Sequence, residues 1–320
     1  MSEALFLNYL TLLIILFLRG ILMLPFIDLG ILQLPLYSLL FMIGFAIALL
    51  LARKIGGSYG INKDDIIFAA IYGAIGLLIG AKVVFFITKV PKVITHFEEF
   101  KNFIKNDTMG ALNYLFGGMV FYGGLIGFCL GVLRYCVHFK VKLFDLADLY
   151  TPFLPFAHAF GRIGCFCAGC CYGIEYHGPL AIQFPYNELT PELSEVPRFP
   201  VQLLEALLNF ICSGILLYIM NKNAKKDPKD RKLKQGQLLG IYVAYYLVAR
   251  TFLEMLRGDE VRGKVGFLST SQIISILLIP VAIILILAKK KQIIFAGLPL
   301  TEEHKDSNEN VVQDSFETDK

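Results

Sequence analysis

Residues 66–88 read Ile66-Ile-Phe-Ala-Ala-Ile-Tyr-Gly-Ala-Ile-Gly-Leu-Leu-Ile-Gly-Ala-Lys-Val-Val-Phe-Phe-Ile-Thr88. A helix that crosses a bilayer needs about 20 mostly apolar residues, and this run supplies them in one piece. Six further runs of the same kind lie at approximately 35–52, 117–133, 147–167, 201–220, 237–256 and 268–288. All are too long for strands and lack the alternation of a barrel strand. Several carry glycines, which membrane helices use for close packing. Only helices or a closed barrel satisfy the backbone in lipid. The sequence therefore predicts an all-α fold, a polytopic transmembrane helical bundle of about seven spans.

The composition agrees. Apolar residues of the AVILMFWYC set make up 56% of the 320 residues, and charged residues only 18%, against about 25% in soluble domains. The mean hydropathy is +0.62. These values exclude a disordered chain, a coiled coil and a typical cytosolic enzyme. The net charge is +4, with the basic residues in separated clusters. That excludes a nucleic-acid binder of the usual kind, which concentrates its charge in one stripe.

The positions of Lys and Arg set the expected topology. Arg53, Lys54 and Lys63 follow the first span; Arg134, Lys140 and Lys142 follow the third; seven basic residues crowd 222–234; Lys289, Lys290 and Lys291 follow the last. These segments fall on one side of an alternating path, which is expected to be cytoplasmic. The segments 89–116, 172–200 and 257–267 fall on the other, and the middle one has a single basic residue, Arg198, against four Glu. The chain is thus expected to start outside and to end with a cytoplasmic C-terminus. The Lys-rich ends also suit anionic lipid headgroups. With no Trp, interfacial anchoring falls to Tyr and Phe. Residues 1–28 form an N-terminal apolar segment interrupted by Arg19 and Pro25, either an extra helix or an interfacial one. Its Met-Ser-Glu-Ala start lacks the basic region of a cleaved signal peptide. Residues 29–292 form the membrane domain. The polar tail 293–320 has nothing to bury and is expected to be disordered.

Ionisable residues inside a membrane span are costly and usually functional. Three segments carry them. In 153–173, His158 and Arg162 are four apart and Cys165 three further on, so all three share one helix face. Four Cys and three Gly follow or flank the arginine; a snorkelling Arg beside small packing residues is the plain alternative. In 240–257, Tyr246, Arg250 and Glu254 are spaced by four, with Arg257 three beyond. An internal Arg250–Glu254 pair would fix packing alone, but it leaves Tyr246 and Arg257 unexplained. In 197–205, Pro200 suits a helix start, and Gln202 and Glu205 then lie on one face. A fourth element, Gly117-Gly-Met-Val-Phe-Tyr122-Gly-Gly-Leu-Ile-Gly127, allows close approach either of a neighbouring helix or of a lipid headgroup. Several arginines near one face, with no nucleotide-binding motif, suit a phospholipid headgroup, because the guanidinium fork matches phosphate.

These blocks resemble the bacterial prolipoprotein diacylglyceryl transferase family over roughly residues 30–290. The family signature Gly-Arg-x-x-Asn-Phe-x-Asn-x-Glu-x-x-Gly is met in register by Gly161, Arg162, Phe166 and Gly173. Arg198-Phe-Pro-Val-Gln202-Leu-Leu-Glu205 is similar to its Arg-His-Pro-x-Gln-Leu-Tyr-Glu. Tyr246, Arg250, Glu254 and Arg257 match its Tyr-x-x-x-Arg-x-x-x-Glu-x-x-Arg helix. Ser271-Gln272-Ile-Ile-Ser275 and the Gly117–Gly127 stretch match two further blocks. The resemblance implies transfer of a diacylglyceryl group from phosphatidylglycerol to the lipobox cysteine of prolipoprotein signal peptides, with glycerol phosphate leaving. It also implies the bacterial cytoplasmic (inner) membrane as location, the lipid bilayer as environment, and no cofactor or metal. On the same basis Arg162, Arg250, Glu254, Tyr122 and His158 are the catalytic candidates. Tyr246, Arg257, Gln202, Glu205, Gly173 and Cys165 are the substrate-binding candidates. Arg162 and Arg250 would hold the phosphate, Glu254 would orient Arg250, and Tyr246 would donate to the headgroup.

The departures are chemical. The signature's two Asn are Cys165 and Ala168, its Glu is Cys170, and the frequent His of the Gly-Gly block is Tyr122. Thiols and a methyl group cannot reproduce the hydrogen bonds of amides and a carboxylate. Either another base serves, or the substrate differs, or the activity is gone. His158 either takes the place of the base or is a satisfied buried histidine. Of the seven cysteines, Cys129, Cys136 and Cys212 read as small apolar residues. Cys165, Cys167, Cys170 and Cys171 form Cys-x-Cys-x-x-Cys-Cys. Cys167 and Cys170 have the C-x-x-C spacing of thiol redox pairs. Four thiolates with His158 or His177 also suit zinc, although ligands confined to one short segment are unlike paired zinc knuckles. Packing or substrate lining is the third reading. The alternatives to transfer are therefore a membrane thiol-disulfide oxidoreductase on the same scaffold and a non-catalytic lipid-binding relative.

Overall fold

The computed structural model describes residues 26–28, 30, 33–186, 191–225, 232–258, 264–265 and 268–287. Most of the N-terminal segment 1–28 and the whole tail 293–320 lie outside the described residues. The fold is all-α and polytopic, with ten helices among the described residues. Five of them are long and apolar enough to cross a membrane: Leu36–Tyr59, Lys63–Thr95, Phe121–Phe139, Val201–Ala224 and Gln237–Met255. Two shorter apolar stretches, the helix Phe153–Cys167 and the Ser275–Leu287 part of the last helix, fall below that length. Among the described residues the chain divides into two compact units, one of residues up to 52 with those from 147 onward, the other of residues 53–146.

In the second unit, α2 (Lys63–Thr95) begins at Asn62, whose side chain accepts from the Asp64 N–H at 3.0 Å. Asp64 and Asp65 occupy its first turn, where the helix dipole favours negative charge. Two short helices, α3 (Phe97–Asn106) and α4 (Thr108–Phe116), lead to α5 (Phe121–Phe139). A Cβ at Gly76 would stand 2.1 Å from the Gly127 carbonyl oxygen, and one at Gly127 would stand 2.1 Å from that of Gly76. Only paired glycines let the backbones of α2 and α5 meet so closely. The central glycines of the 117–127 stretch are thereby accounted for by helix packing. Tyr135 adds a polar anchor across the same interface, donating to Asp65 Oδ1 at 2.8 Å.

The first unit holds most of α1 (Leu36–Gly56), the end of α6 (Leu143–Tyr150), α7 (Phe153–Cys167), α8 (Val201–Ala224), α9 (Gln237–Met255) and α10 (Thr270–Leu287). The apolar run expected as one span at 147–167 is two helices. The chain breaks at Thr151-Pro152, because proline lacks the N–H that would continue the ladder and restricts the residue before it. Helix α7 is consequently only 15 residues long. The run expected to begin a span at residue 117 becomes helical only at Phe121. Helix α7 packs on α8 and α9 on α10. Asp148 reaches from α6 to the start of α9, accepting from the Gly236 and Leu239 N–H groups at 2.5 and 3.1 Å. Two short antiparallel hairpins lie outside the spans: β1 (Phe26–Asp28) with β2 (Gln33–Pro35), and β3 (Lys264–Val265) with β4 (Leu268–Ser269). The loop after α7 folds over a small core of Phe166, Tyr172, Ile182, Phe184 and Leu193. Arg198 lies over the Tyr172 ring, 4.4 Å from its centroid.

Candidate active site

The site is built in the first unit. Helix α7 places His158 and Arg162 one turn apart on the face that meets α8. Helix α8 opens after Pro200 and presents Gln202, Glu205 and Asn209 at spacings of three and four. Glu205, 4% exposed, faces both side chains: Arg162 Nε lies 2.8 Å from its Oε1 and His158 Nε2 lies 3.5 Å from the same atom. The other ring nitrogen of His158, Nδ1, lies 3.5 Å from Asn209 Nδ2. Sequence reading missed Asn209, although it stands one turn beyond Glu205 on the same face.

Helix α9 supplies the second charged group. Arg250 and Glu254, four apart on one face, form an ion pair. The Arg250 side chain is 4% exposed and the Glu254 side chain 12%. One turn earlier, the Tyr246 ring lies 6.3 Å from the His158 ring, centroid to centroid. His158, Glu205, Asn209, Tyr245, Tyr246 and Arg250 line a single small cavity of about 10 Å³, room for about one water molecule. A larger polar group enters only if these side chains part.

The end of α9 is tied to the signature glycine. Gly173 and Arg257 pair as an isolated antiparallel bridge, flanked by Ile174 N–H to Leu256 O at 3.0 Å and Gly258 N–H to Tyr172 O at 3.1 Å. A Cβ at Gly173 would stand 2.3 Å from the Phe199 carbonyl oxygen. Glycine is therefore required here by the backbone packed against it. Gln202, fully buried, donates from Nε2 to the Cys170 carbonyl at 2.8 Å, which pins the turn after α7.

That turn gathers the cysteines. The thiols of Cys165, Cys170 and Cys171 lie within 4.8 Å of one another. Cys167 is buried and stands outside this trio, so the C-x-x-C pair is not what the fold assembles. None of the seven cysteines is in a disulfide. Tyr122 stands in the first turn of α5, in the second unit, with its ring 5.6 Å from that of Phe121.

Chemically, two guanidiniums sit in an apolar, low-dielectric site, each with its own carboxylate. Arginine in such a setting is a strong, directional partner for phosphate oxygens. Buried ion pairs are weak evidence for stability, and ionisable groups inside membrane helices mark function.

The fold and these paired arginines define a polytopic α-helical membrane protein with a buried charged site between its helices. A model of the prolipoprotein diacylglyceryl transferase family matches residues 25–288, and the chain belongs to that family. It is similar to a Clostridium perfringens protein named phosphatidylglycerol–prolipoprotein diacylglyceryl transferase 2, at 37% identity over 252 residues, covering 77% of this chain and 88% of the relative. A Clostridium tetani protein named phosphatidylglycerol–prolipoprotein diacylglyceryl transferase is 33% identical over 247 residues, 77% of this chain and 90% of the relative. An Aeromonas salmonicida protein of the same name is 30% identical over 270 residues, 83% of this chain and 89% of its own length.

Proposed function

We propose that the protein transfers a diacylglyceryl group from phosphatidylglycerol to the thiol of a lipobox cysteine in prolipoprotein signal peptides. The sulfur forms a bond to the glycerol carbon as the carbon–oxygen bond to phosphate breaks, and glycerol phosphate leaves. The observation that carries this reading is the Arg162–Glu205 pair, which joins the signature helix α7 to α8 in a family whose relatives bear the transferase name.

The geometry supports the following roles. Arg162 and Arg250 hold the phosphate and stabilise the charge that develops on its departing oxygen. Glu205 and Glu254 fix the two guanidiniums. Tyr246 donates to the headgroup. The acceptor must become a thiolate, the reactive form, and His158 takes its proton while Glu205, 3.5 Å away, steadies the resulting cation. Gln202 and Gly173 act through the backbone they hold. The protein works in the bacterial cytoplasmic membrane with its C-terminus on the cytoplasmic side; the Lys-rich segments support that orientation.

The test is rescue of a strain depleted of its own transferase, with labelling of a lipoprotein substrate as readout. Wild-type protein restores labelling. Arg162→Lys and Arg250→Lys each lower the transfer rate by about 10²–10³-fold, the loss typical of removing one stabilising donor. Near-normal labelling by the Arg162 variant would sink the assignment, and a wild-type chain that cannot rescue would sink the function.

A further inference from the structure

We propose that Cys165, Cys170 and Cys171 form a binding site for one thiophilic d10 cation of the zinc class, with one coordination position left open for the thiolate of an incoming cysteine. The three sulfur atoms lie within 4.8 Å of one another. Zinc–thiolate bonds of about 2.3 Å in tetrahedral geometry place sulfurs about 3.8 Å apart. Closing the trio onto an ion thus requires movements of no more than about 1 Å, within reach of small side-chain rotations. An all-sulfur donor set selects soft or borderline ions over magnesium or calcium.

The backbone is shaped to bring these thiols together. Gly169 has φ +65° and Cys171 φ +60°. The left-handed region is uncommon for a residue with a Cβ, and residues held there cluster at functional sites. The two left-handed residues turn the chain back on the end of α7, the Cys170 N–H bonding to the Cys165 carbonyl at 3.0 Å. Gln202 clamps the Cys170 carbonyl from α8. Burial is graded around the trio: Cys165 is buried, and Cys170 and Cys171 are partly exposed. One side is therefore closed by the fold and one side faces outward. Three protein ligands with an open position is the pattern of catalytic rather than structural zinc.

The charges fit. Three thiolates around a divalent ion leave one net negative charge, and the guanidiniums of Arg162 and Arg257 lie within Coulombic reach of Cys171. Each thiol gives up its proton on binding. A cysteine entering the open position does the same, its proton passing to water, because a metal-bound thiol is held as thiolate. Its sulfur leaves the ion as it bonds to the glycerol carbon, the carbon–oxygen bond to phosphate breaks, and glycerol phosphate leaves with that electron pair. The metal site stands on geometry alone; the identity of the fourth ligand rests on the transferase reading above. The thiols stand at or next to the positions where the family pattern has Asn and Glu, and they offer this chain another way to prepare the acceptor.

The experiment uses the full chain in detergent, reduced and stripped of metal. It is titrated with cadmium while the thiolate-to-metal charge-transfer absorption is followed. Saturation at one equivalent per chain is expected, with zinc competing for the same site. Cys165→Ser and Cys171→Gly abolish stoichiometric uptake. The second variant removes a thiol while supplying the residue best suited to a positive φ, so loss of binding there cannot be ascribed to misfolding. Cys129→Ser, far along the chain in the second unit, retains the full signal. A peptide carrying a lipobox cysteine then shifts the absorption, and its serine counterpart does not. Absence of saturable uptake by the reduced wild-type chain, or equal uptake by Cys171→Gly, overturns the site. Uptake without any response to the cysteine peptide overturns the open position. Stoichiometric uptake and peptide response in a chain that fails to rescue lipid transfer leave the site standing and refute only the transferase reading.

Discussion

The Arg162–Glu205 pair makes a quantitative prediction. At 2.8 Å and an effective permittivity of about 20, the attraction between the two charges is about 6 kcal/mol. Part of that offsets the removal of both ions from water. Loss of one partner leaves the other buried without its counter-charge, at a cost of about 3–5 kcal/mol. Glu205→Gln keeps the shape and removes the charge, so it should destabilise the protein by about 3 kcal/mol. Arg162→Met should do the same from the other side. The double variant removes both charges and should lose about 3 kcal/mol rather than twice that, a coupling near the upper end of the usual range for residues in contact. The assay is reversible unfolding in mixed micelles, with all four proteins measured in the same lipid and salt. Additive losses in the double variant would refute the reasoning, because they would show that neither side chain is the other's main partner. Transfer activity follows a different pattern: the double variant recovers stability relative to the sum of the singles, yet stays inactive, since Arg162 is assigned to the phosphate.

Other consequences can be checked alongside. Gly127→Leu forces α2 and α5 apart, because even a Cβ there would stand 2.1 Å from the Gly76 carbonyl oxygen; overpacking of this kind costs about 1–3 kcal/mol or more, read as a lower unfolding midpoint. Gly173→Ala meets the Phe199 carbonyl oxygen and opens the bridge to Arg257; transfer should fall together with protection of the Ile174 N–H in hydrogen exchange, whereas a loss of transfer with unchanged protection would contradict the packing role. Gln202→Leu leaves the Cys170 carbonyl without its 2.8 Å donor, costing about 1–3 kcal/mol and making the turn after α7 more open to proteolysis. Asp148→Ala removes the acceptor for two N–H groups at the start of α9, a loss of about 0.5–2 kcal/mol in the same unfolding assay.

Most of the architecture was legible because the apolar runs are long and unbroken. The run at 66–88 announces α2 without help from tertiary structure. The run at 147–167 misled for a local reason: hydropathy averages over Pro152, and the break is made by one missing N–H and the restriction on Thr151. The charged stripe of α9 was readable from its spacing of four, and the structure pairs Arg250 with Glu254 as that spacing implies. What spacing could not give was partnership across helices. Glu205 reads from the sequence as a substrate-binding candidate near a helix start, and only the packing of α8 on α7 shows it as the shared carboxylate of His158 and Arg162. Asp148, lost in an apolar run, acts as a cap for a helix that begins almost ninety residues later. The C-x-x-C spacing pointed to Cys167, whereas the positive φ at Cys171 selects a different trio, and φ is invisible in composition.

The break at Pro152 also sets a depth. Helix α7, with 15 residues, rises about 22 Å, against about 30 Å of hydrocarbon in a typical bilayer. Arg162 stands about 8 Å before its last residue. Nine of the 15 residues of α7 are buried, so this helix meets protein rather than lipid over most of its surface, and its short length leaves room at its end for the irregular turn that carries the cysteines, a backbone tolerated at such depth only where protein surrounds it.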